Sequence, residues 1–119
     1  MMRTMLKSKI HRATLTGCDL DYEGSIAIDS DLLQAADILP GEQVHVLNLS
    51  NGARLVTYAI EAAAGSGTVM LNGPAARAGL AGALLVVITS AEYSPEDLAV
   101  RKTRIVKVDR SNKITQVLE

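Results

Sequence analysis

Val44-His45-Val46-Leu47-Asn48-Leu49-Ser50-Asn51-Gly52-Ala53-Arg54-Leu55-Val56-Thr57-Tyr58-Ala59-Ile60 is the stretch that decides the fold class of this chain. Two runs rich in β-branched and aliphatic residues, 44–49 and 54–60, flank Ser50-Asn51-Gly52-Ala53. Asn-Gly suits the positive φ angles of a type I′ turn, so the segment predicts a β-hairpin. Residues 9–16 alternate, which sets Lys9, His11, Ala13 and Leu15 on one strand face and Ile10, Arg12, Thr14 and Thr16 on the other. Further strands are predicted over 25–28, 68–71, 83–89, 104–108 and 114–117, with 17–24 as a polar connection. Short helices are predicted over 32–37, capped from Asp29-Ser30-Asp31 and ended by Pro40-Gly41, over 74–78, and over 95–100 behind a Ser94 cap. Many short strands separated by turn signals indicate a mainly β chain, a small β-barrel with a few helical turns. The strand count does not choose among barrel topologies.

Composition narrows the function classes. At 119 residues the chain is expected to be a single domain over 1–119, large enough for a core and small enough to gain from oligomerisation. A formal charge of −1 gives no dominant attraction to nucleic acid or an anionic membrane. There is no Trp and no Phe, and Tyr22, Tyr58 and Tyr93 do not make a platform for stacking bases. The single cysteine, Cys18, cannot form an internal disulfide and reads as a small, partly buried side chain in a reducing compartment. Arg3, Lys7, Lys9 and Arg12 interrupt any apolar run of signal-peptide type, and residues 80–88 are too short to span a bilayer. The expected location is the cytoplasm.

Gly24-Ser25, within Asp19-Leu20-Asp21-Tyr22-Glu23-Gly24-Ser25-Ile26-Ala27-Ile28-Asp29, carries chemistry of its own. Glycine tolerates strained backbone conformations, so a serine hydroxyl can be pressed against the preceding carbonyl carbon. Attack there turns the amide into an ester, elimination opens the chain, and a pyruvoyl ketone remains at the new N-terminus. Met2-Arg3-Thr4-Met5-Leu6-Lys7-Ser8-Lys9-Ile10-His11-Arg12-Ala13, followed by Tyr22-Glu23-Gly24-Ser25, resembles the N-terminal signature of the pyruvoyl-dependent aspartate 1-decarboxylases. Asn51-Gly52-Ala53-Arg54-Leu55-Val56-Thr57-Tyr58-Ala59-Ile60 and Asn72-Gly73-Pro74-Ala75-Ala76 extend the resemblance in order along nearly the whole chain.

The resemblance implies a double-psi β-barrel, assembled as a homotetramer with active sites between subunits. It implies an enzyme, a carboxy-lyase made as a zymogen, that cuts itself between Gly24 and Ser25. Through a Schiff base on the pyruvoyl group made from Ser25, it would convert L-aspartate to β-alanine and carbon dioxide for pantothenate biosynthesis. Neither a metal nor pyridoxal phosphate is expected. Whether maturation is spontaneous or helped by another protein is open in the sequence.

Lys9 and His11 share a strand face, and the resemblance moves Lys9 towards an anionic contact with His11 behind it, and Tyr22 beside the site. Arg54 suits the β-carboxylate, because its planar fork grips a carboxylate through two hydrogen bonds. Tyr58 corresponds to the family's proton donor, a phenol protonated at neutral pH. Thr57 corresponds to a threonine used in self-cleavage and substrate contact, yet alternation sets it on the face opposite Arg54 and Tyr58. Either the strand twists or bulges there, or opposite faces serve pockets in different subunits. Asn72, Gly73, Pro74 and Ala75 are expected to supply the remaining substrate contacts. This chain departs from most of the family at Pro74, where alanine is usual and where proline has no N–H to donate, and also at Arg77 and Ala83. Two other classes compete: an N-terminal nucleophile hydrolase that keeps Ser25 with a free amine, and a small DNA-binding barrel that stays intact.

Overall fold

The computed structural model describes residues 1–21 and 24–119; Tyr22, named above beside the site, and Glu23 lie outside the described residues. In chain order the strands are β1 (Arg3–Thr14), β2 (Gly17–Asp19), β3 (Ser25–Asp29), β4 (Gln43–Asn48), β5 (Arg54–Ala62), β6 (Val69–Asn72), β7 (Leu84–Tyr93), β8 (Arg104–Val108) and β9 (Ile114–Leu118). Two short helices, α1 (Ser30–Ala35) and α2 (Pro95–Val100), and a 3-10 turn over Gly73–Ala78 complete it.

The expected hairpin is β4–β5, whose unbroken antiparallel register sets Val46 opposite Leu55 and Val44 opposite Thr57. Its turn is not type I′. Of Asn51 and Gly52, only Gly52 takes a positive φ, 77°. Asn48 is the reason: its Oδ1 accepts the Ser50 and Asn51 N–H groups at 2.8 and 3.3 Å, while its carbonyl accepts from Gly52 at 2.8 Å. The side chain thus closes the first bend, and Asn51 is spared the left-handed region.

Six strand positions close into a barrel, β7–β1/β2–β6–β3–β5–β4 and back to β7. Closure runs through residues 15 and 16, between β1 and β2. Leu15 N–H bonds the Ala83 carbonyl beside β7, and Thr16 N–H bonds the Val69 carbonyl of β6, at 2.8 and 2.7 Å. Immediately beyond, β2 pairs in parallel with β6. Residues 17–19 are therefore a strand where a polar connection was expected; Gly17, Cys18 and Asp19 carry little β preference, and the free edge of β6 supplies their partners. The parallel pairs β2–β6 and β3–β5 flank the antiparallel β3–β6 pair, and the rest of the ring is antiparallel, in keeping with the double-psi barrel that the resemblance implies. Outside the ring, β8 pairs in parallel with the middle of β1, Ser8–His11, and β9 with β8. The core is aliphatic, centred on Ile10, Leu15, Ile26, Ile28, Val44, Val46, Leu71, Leu85 and Val87.

β1 starts six residues before the expected strand, which opened at Lys9, and its alternation does not run through to Leu15. Arg12 adopts φ 64°, and the pairing with β7 shifts between His11 and Ala13. This bulge resets the pleat, so Ala13 and Leu15 join Ser8 and Ile10 inside while Lys9 and His11 stay half-exposed. Cys18 is exposed rather than partly buried, and its thiol donates to the Gly79 carbonyl at 3.3 Å. Among the described residues, no helix is long and apolar enough to cross a membrane.

Asp29 ties the end of β3 to the β5–β6 loop. Its carboxylate, 2 % exposed, caps α1 through the Asp31 N–H and takes the N–H groups of Gly65 and Gly67. Burial pushes the carboxyl pKa up, but the three N–H donors and the Lys113 charge outweigh it and hold it below the ordinary value. Asp29→Ala should cost roughly 2–3 kcal/mol at neutral pH, a lost cap plus a buried N–H left unpaired. Because the folded pKa is depressed, that contribution is complete above the unfolded value near ~3.9 and is lost as pH falls through the folded one. Urea unfolding of both proteins at pH 7 and pH 3 checks this: the difference should shrink at the lower pH.

Candidate active site

Ser25 opens β3 directly opposite Asn72, the last residue of β6. Both side chains are buried, and the Asn72 amide donates to the Ser25 hydroxyl oxygen at 3.0 Å. A buried hydroxyl with a defined partner on one side has few rotamers left. The chain then turns sharply, with Gly73 at φ 60°, into the 3-10 segment that carries Pro74 and Ala75. Gly24, Pro74 and Ala75 line a cavity of about 350 Å³ together with Leu55, Val56 and Thr57 of β5. That volume is at the small end of ligand sites, which run ~300–1,000 Å³. Thr57 supplies a hydroxyl; no charged side chain is in the lining among the described residues.

The charged candidates lie elsewhere on the same chain. β5 keeps regular register against both β4 and β3, with no bulge that would turn a residue over. Leu55, Thr57 and Ala59 therefore face inwards, and Arg54 and Tyr58 face out, Tyr58 being 39 % exposed. Of the two explanations left open for Thr57, a local bulge is excluded. His11 borders a separate cleft of about 550 Å³ with Arg12, Lys107 and Arg110. Partial burial, and then the positive charges of Lys9, Arg12 and Lys107, lower its pKa, which favours the neutral imidazole. The structure thus brings together Gly24, Ser25, Thr57, Asn72, Gly73, Pro74 and Ala75. It does not bring Lys9, His11, Arg54 or Tyr58 into that cavity.

A family model described as aspartate decarboxylase matches residues 1–115. The chain belongs to that family. An aspartate 1-decarboxylase 2 of Gloeobacter violaceus is 56 % identical over 98 % of this chain and 94 % of its own length. An aspartate 1-decarboxylase of Dehalococcoides mccartyi is 53 % identical over 95 % of this chain and 91 % of its own, and one of Leptothrix cholodnii is 48 % identical over 98 % and 89 %. The similarity runs over nearly the whole of this decarboxylase family member and most of the length of each of these relatives.

Leu55 and Val56 are cavity walls that the sequence reading did not single out. Leu55 was within reach, since it shares a face with Thr57 two residues on. Of the departures from the family pattern, Arg77 is exposed, and Ala83 packs half-buried against the core with its carbonyl holding Leu15.

Proposed function

We propose that this protein is a self-processing, pyruvoyl-dependent decarboxylase that converts L-aspartate to β-alanine and carbon dioxide in the cytoplasm, as a step towards pantothenate. The observation that carries this reading is the buried Ser25 hydroxyl, held by Asn72 and placed directly after Gly24 at the edge of the cavity.

Cleavage uses the chain's own atoms. The Ser25 hydroxyl oxygen attacks the Gly24 carbonyl carbon, the C–N bond breaks, and an ester with a free amine results. Loss of the Ser25 α-proton then expels the Gly24 carboxylate from the β-carbon. Water finally replaces the nitrogen, which leaves as ammonia, and a pyruvoyl group remains at residue 25. Thr57, which lines the cavity together with Gly24, steadies the first of these steps by a hydrogen bond. The surroundings of Ser25 fit the product: Ser25 and Asn72 are both buried, and the Asn72 amide is a donor that suits a carbonyl oxygen as well as a hydroxyl. Decarboxylation needs an electron sink that no ordinary side chain provides, and the pyruvoyl group supplies it.

The substrate's carboxylates need cations that the cavity lacks. Arg54 takes the β-carboxylate through its two-pronged donor set, Lys9 provides a second anionic contact, and His11 stands behind Lys9 as a neutral partner. Tyr58 returns a proton to the substrate carbon. Asn72, Gly73, Pro74 and Ala75 frame the other side. Since Arg54 and Tyr58 are exposed and outside the lining of their own cavity, they serve that of a neighbouring copy, in keeping with a homotetramer with sites between subunits. The same regular β5 then works in two pockets at once.

Intact mass of the purified protein tests the reading. The expected result is two chains, residues 1–24 and 25–119, the longer one lighter by one ammonia than a chain beginning with serine. An uncut chain, or a longer fragment that retains the serine amine, counts against it.

A further inference from the structure

Pro74 stands against the bond that is to be cut. A Cβ built on Gly24 would lie 3.7 Å from Cδ of Pro74, in ordinary van der Waals contact, and it would meet no other heavy atom within 4 Å outside its chain neighbours. Both residues line the same cavity. Two positions earlier, Asn72 holds the Ser25 hydroxyl oxygen. One short segment, 72–74, therefore lies on both sides of the scissile peptide: an amide on the attacking oxygen, and a pyrrolidine ring beside the side of the glycine where a Cβ would stand.

The two sides of that peptide are held very differently. Ser25 is fully buried, paired in the sheet and hydrogen-bonded through its side chain. Gly24 is half-buried and has no side chain with which to anchor itself. Glycine explores more backbone conformations than any other residue, and only those that turn its carbonyl carbon towards Ser25 Oγ are productive. A rigid neighbour that removes some of the unproductive ones raises the productive fraction. Proline suits that task, because its ring fixes φ and leaves no rotamers to absorb a push. It sits at the first turn of the 3-10 segment, where a missing N–H costs little.

We propose that Pro74 is a positioning residue for self-cleavage, its ring restraining Gly24 while Asn72 presents the hydroxyl. This rests on the self-processing reading above, and it gives the residue a different task from substrate contact. Proline has no N–H to offer a substrate in any case. Its loss is then read in the rate at which the zymogen matures.

The test follows freshly made full-length chain, pulse-labelled by cell-free translation, and times the release of the fragment 1–24 in wild type, Pro74→Ala and Pro74→Val. Pro74→Ala should mature about 3–10-fold more slowly, below the ~10²-fold that a full 1 Å misplacement can cost. Pro74→Val, which restores apolar bulk, should recover part of that rate. Unchanged cutting in Pro74→Ala, with or without a changed KM, overturns the proposal and leaves the self-processing reading standing. A wild-type chain that never cuts overturns both. To separate positioning from general loosening, thermal unfolding of Ser25→Ala and Ser25→Ala/Pro74→Ala should give nearly equal midpoints. A large drop in the double variant would mean that the ring acts through stability alone, and that also overturns the proposal.

Discussion

Ser25→Ala is expected to stay a single uncut chain of 119 residues with no decarboxylase activity, while keeping its fold. Only the attacking oxygen is removed, and alanine has no alternative nucleophile to offer. The energetic argument matters as much as the chemical one, because Ser25 is buried and its loss leaves the Asn72 amide without its partner. A buried donor left unpaired costs about 1–3 kcal/mol. That is well inside the usual ~5–15 kcal/mol of a domain, and the β3–β6 backbone ladder is untouched. The variant should therefore give a cooperative thermal transition somewhat below that of the uncut wild type. Activity assays with aspartate and intact mass are the decisive readouts. A cut or active Ser25→Ala protein would sink the proposal that this serine becomes the prosthetic group. An unfolded one would be answered by Ser25→Thr or Ser25→Cys, which keep a γ heteroatom for Asn72 and should fold.

How far the sequence carried is clearest at particular residues. The β4–β5 hairpin was legible because strand-forming runs enclose Asn51-Gly52, and a local turn needs no knowledge of distant partners. Its turn type was not, since it depends on where the Asn48 side chain reaches. β2 was missed for a different reason: nothing in Gly17-Cys18-Asp19 favours a strand, and the pairing comes from β6, which is about fifty residues away in sequence. The bulge at Arg12 is also invisible to alternation, which assumes a constant pleat. It leaves Lys9 and His11 together on one face, as expected, but moves Ala13 and Leu15 to the other.

The candidate site divides along the same line. Gly24-Ser25 was legible as a unit because its two reacting atoms are neighbours in the chain. That Asn72 holds the Ser25 oxygen was not, because the contact depends on the register between β3 and β6. Alternation did place Thr57 opposite Arg54 and Tyr58, and the unbroken pairing of β5 upholds it. What looked like a conflict with the family pattern becomes a statement about geometry: one strand lines its own cavity with a hydroxyl and leaves a guanidinium and a phenol outside that lining.

That division makes Tyr58→Phe the most informative substitution on β5. Tyr58 is 39 % exposed in the single chain, so losing its hydroxyl removes no buried hydrogen bond and should barely change stability. No step of the self-cleavage calls on a phenol, so the variant should mature at the wild-type rate. Aspartate in the presence of cyanoborohydride should still add to the longer fragment, because capture of the substrate amine does not need the phenol. Turnover should fall by ~10²–10⁴, the usual contribution of a positioned general acid. Mixing decides whether that acid acts across subunits. Tyr58→Phe is cut but lacks the proton donor, and Ser25→Ala is uncut but keeps it. Refolded together into mixed assemblies, the two should regain activity, since a cut site from one copy meets an intact Tyr58 from the other. Mixed assemblies that form and stay inactive would show that each chain uses its own Tyr58, and the regular outward face of β5 would then need another explanation. Full turnover in Tyr58→Phe alone would remove the phenol from the chemistry altogether.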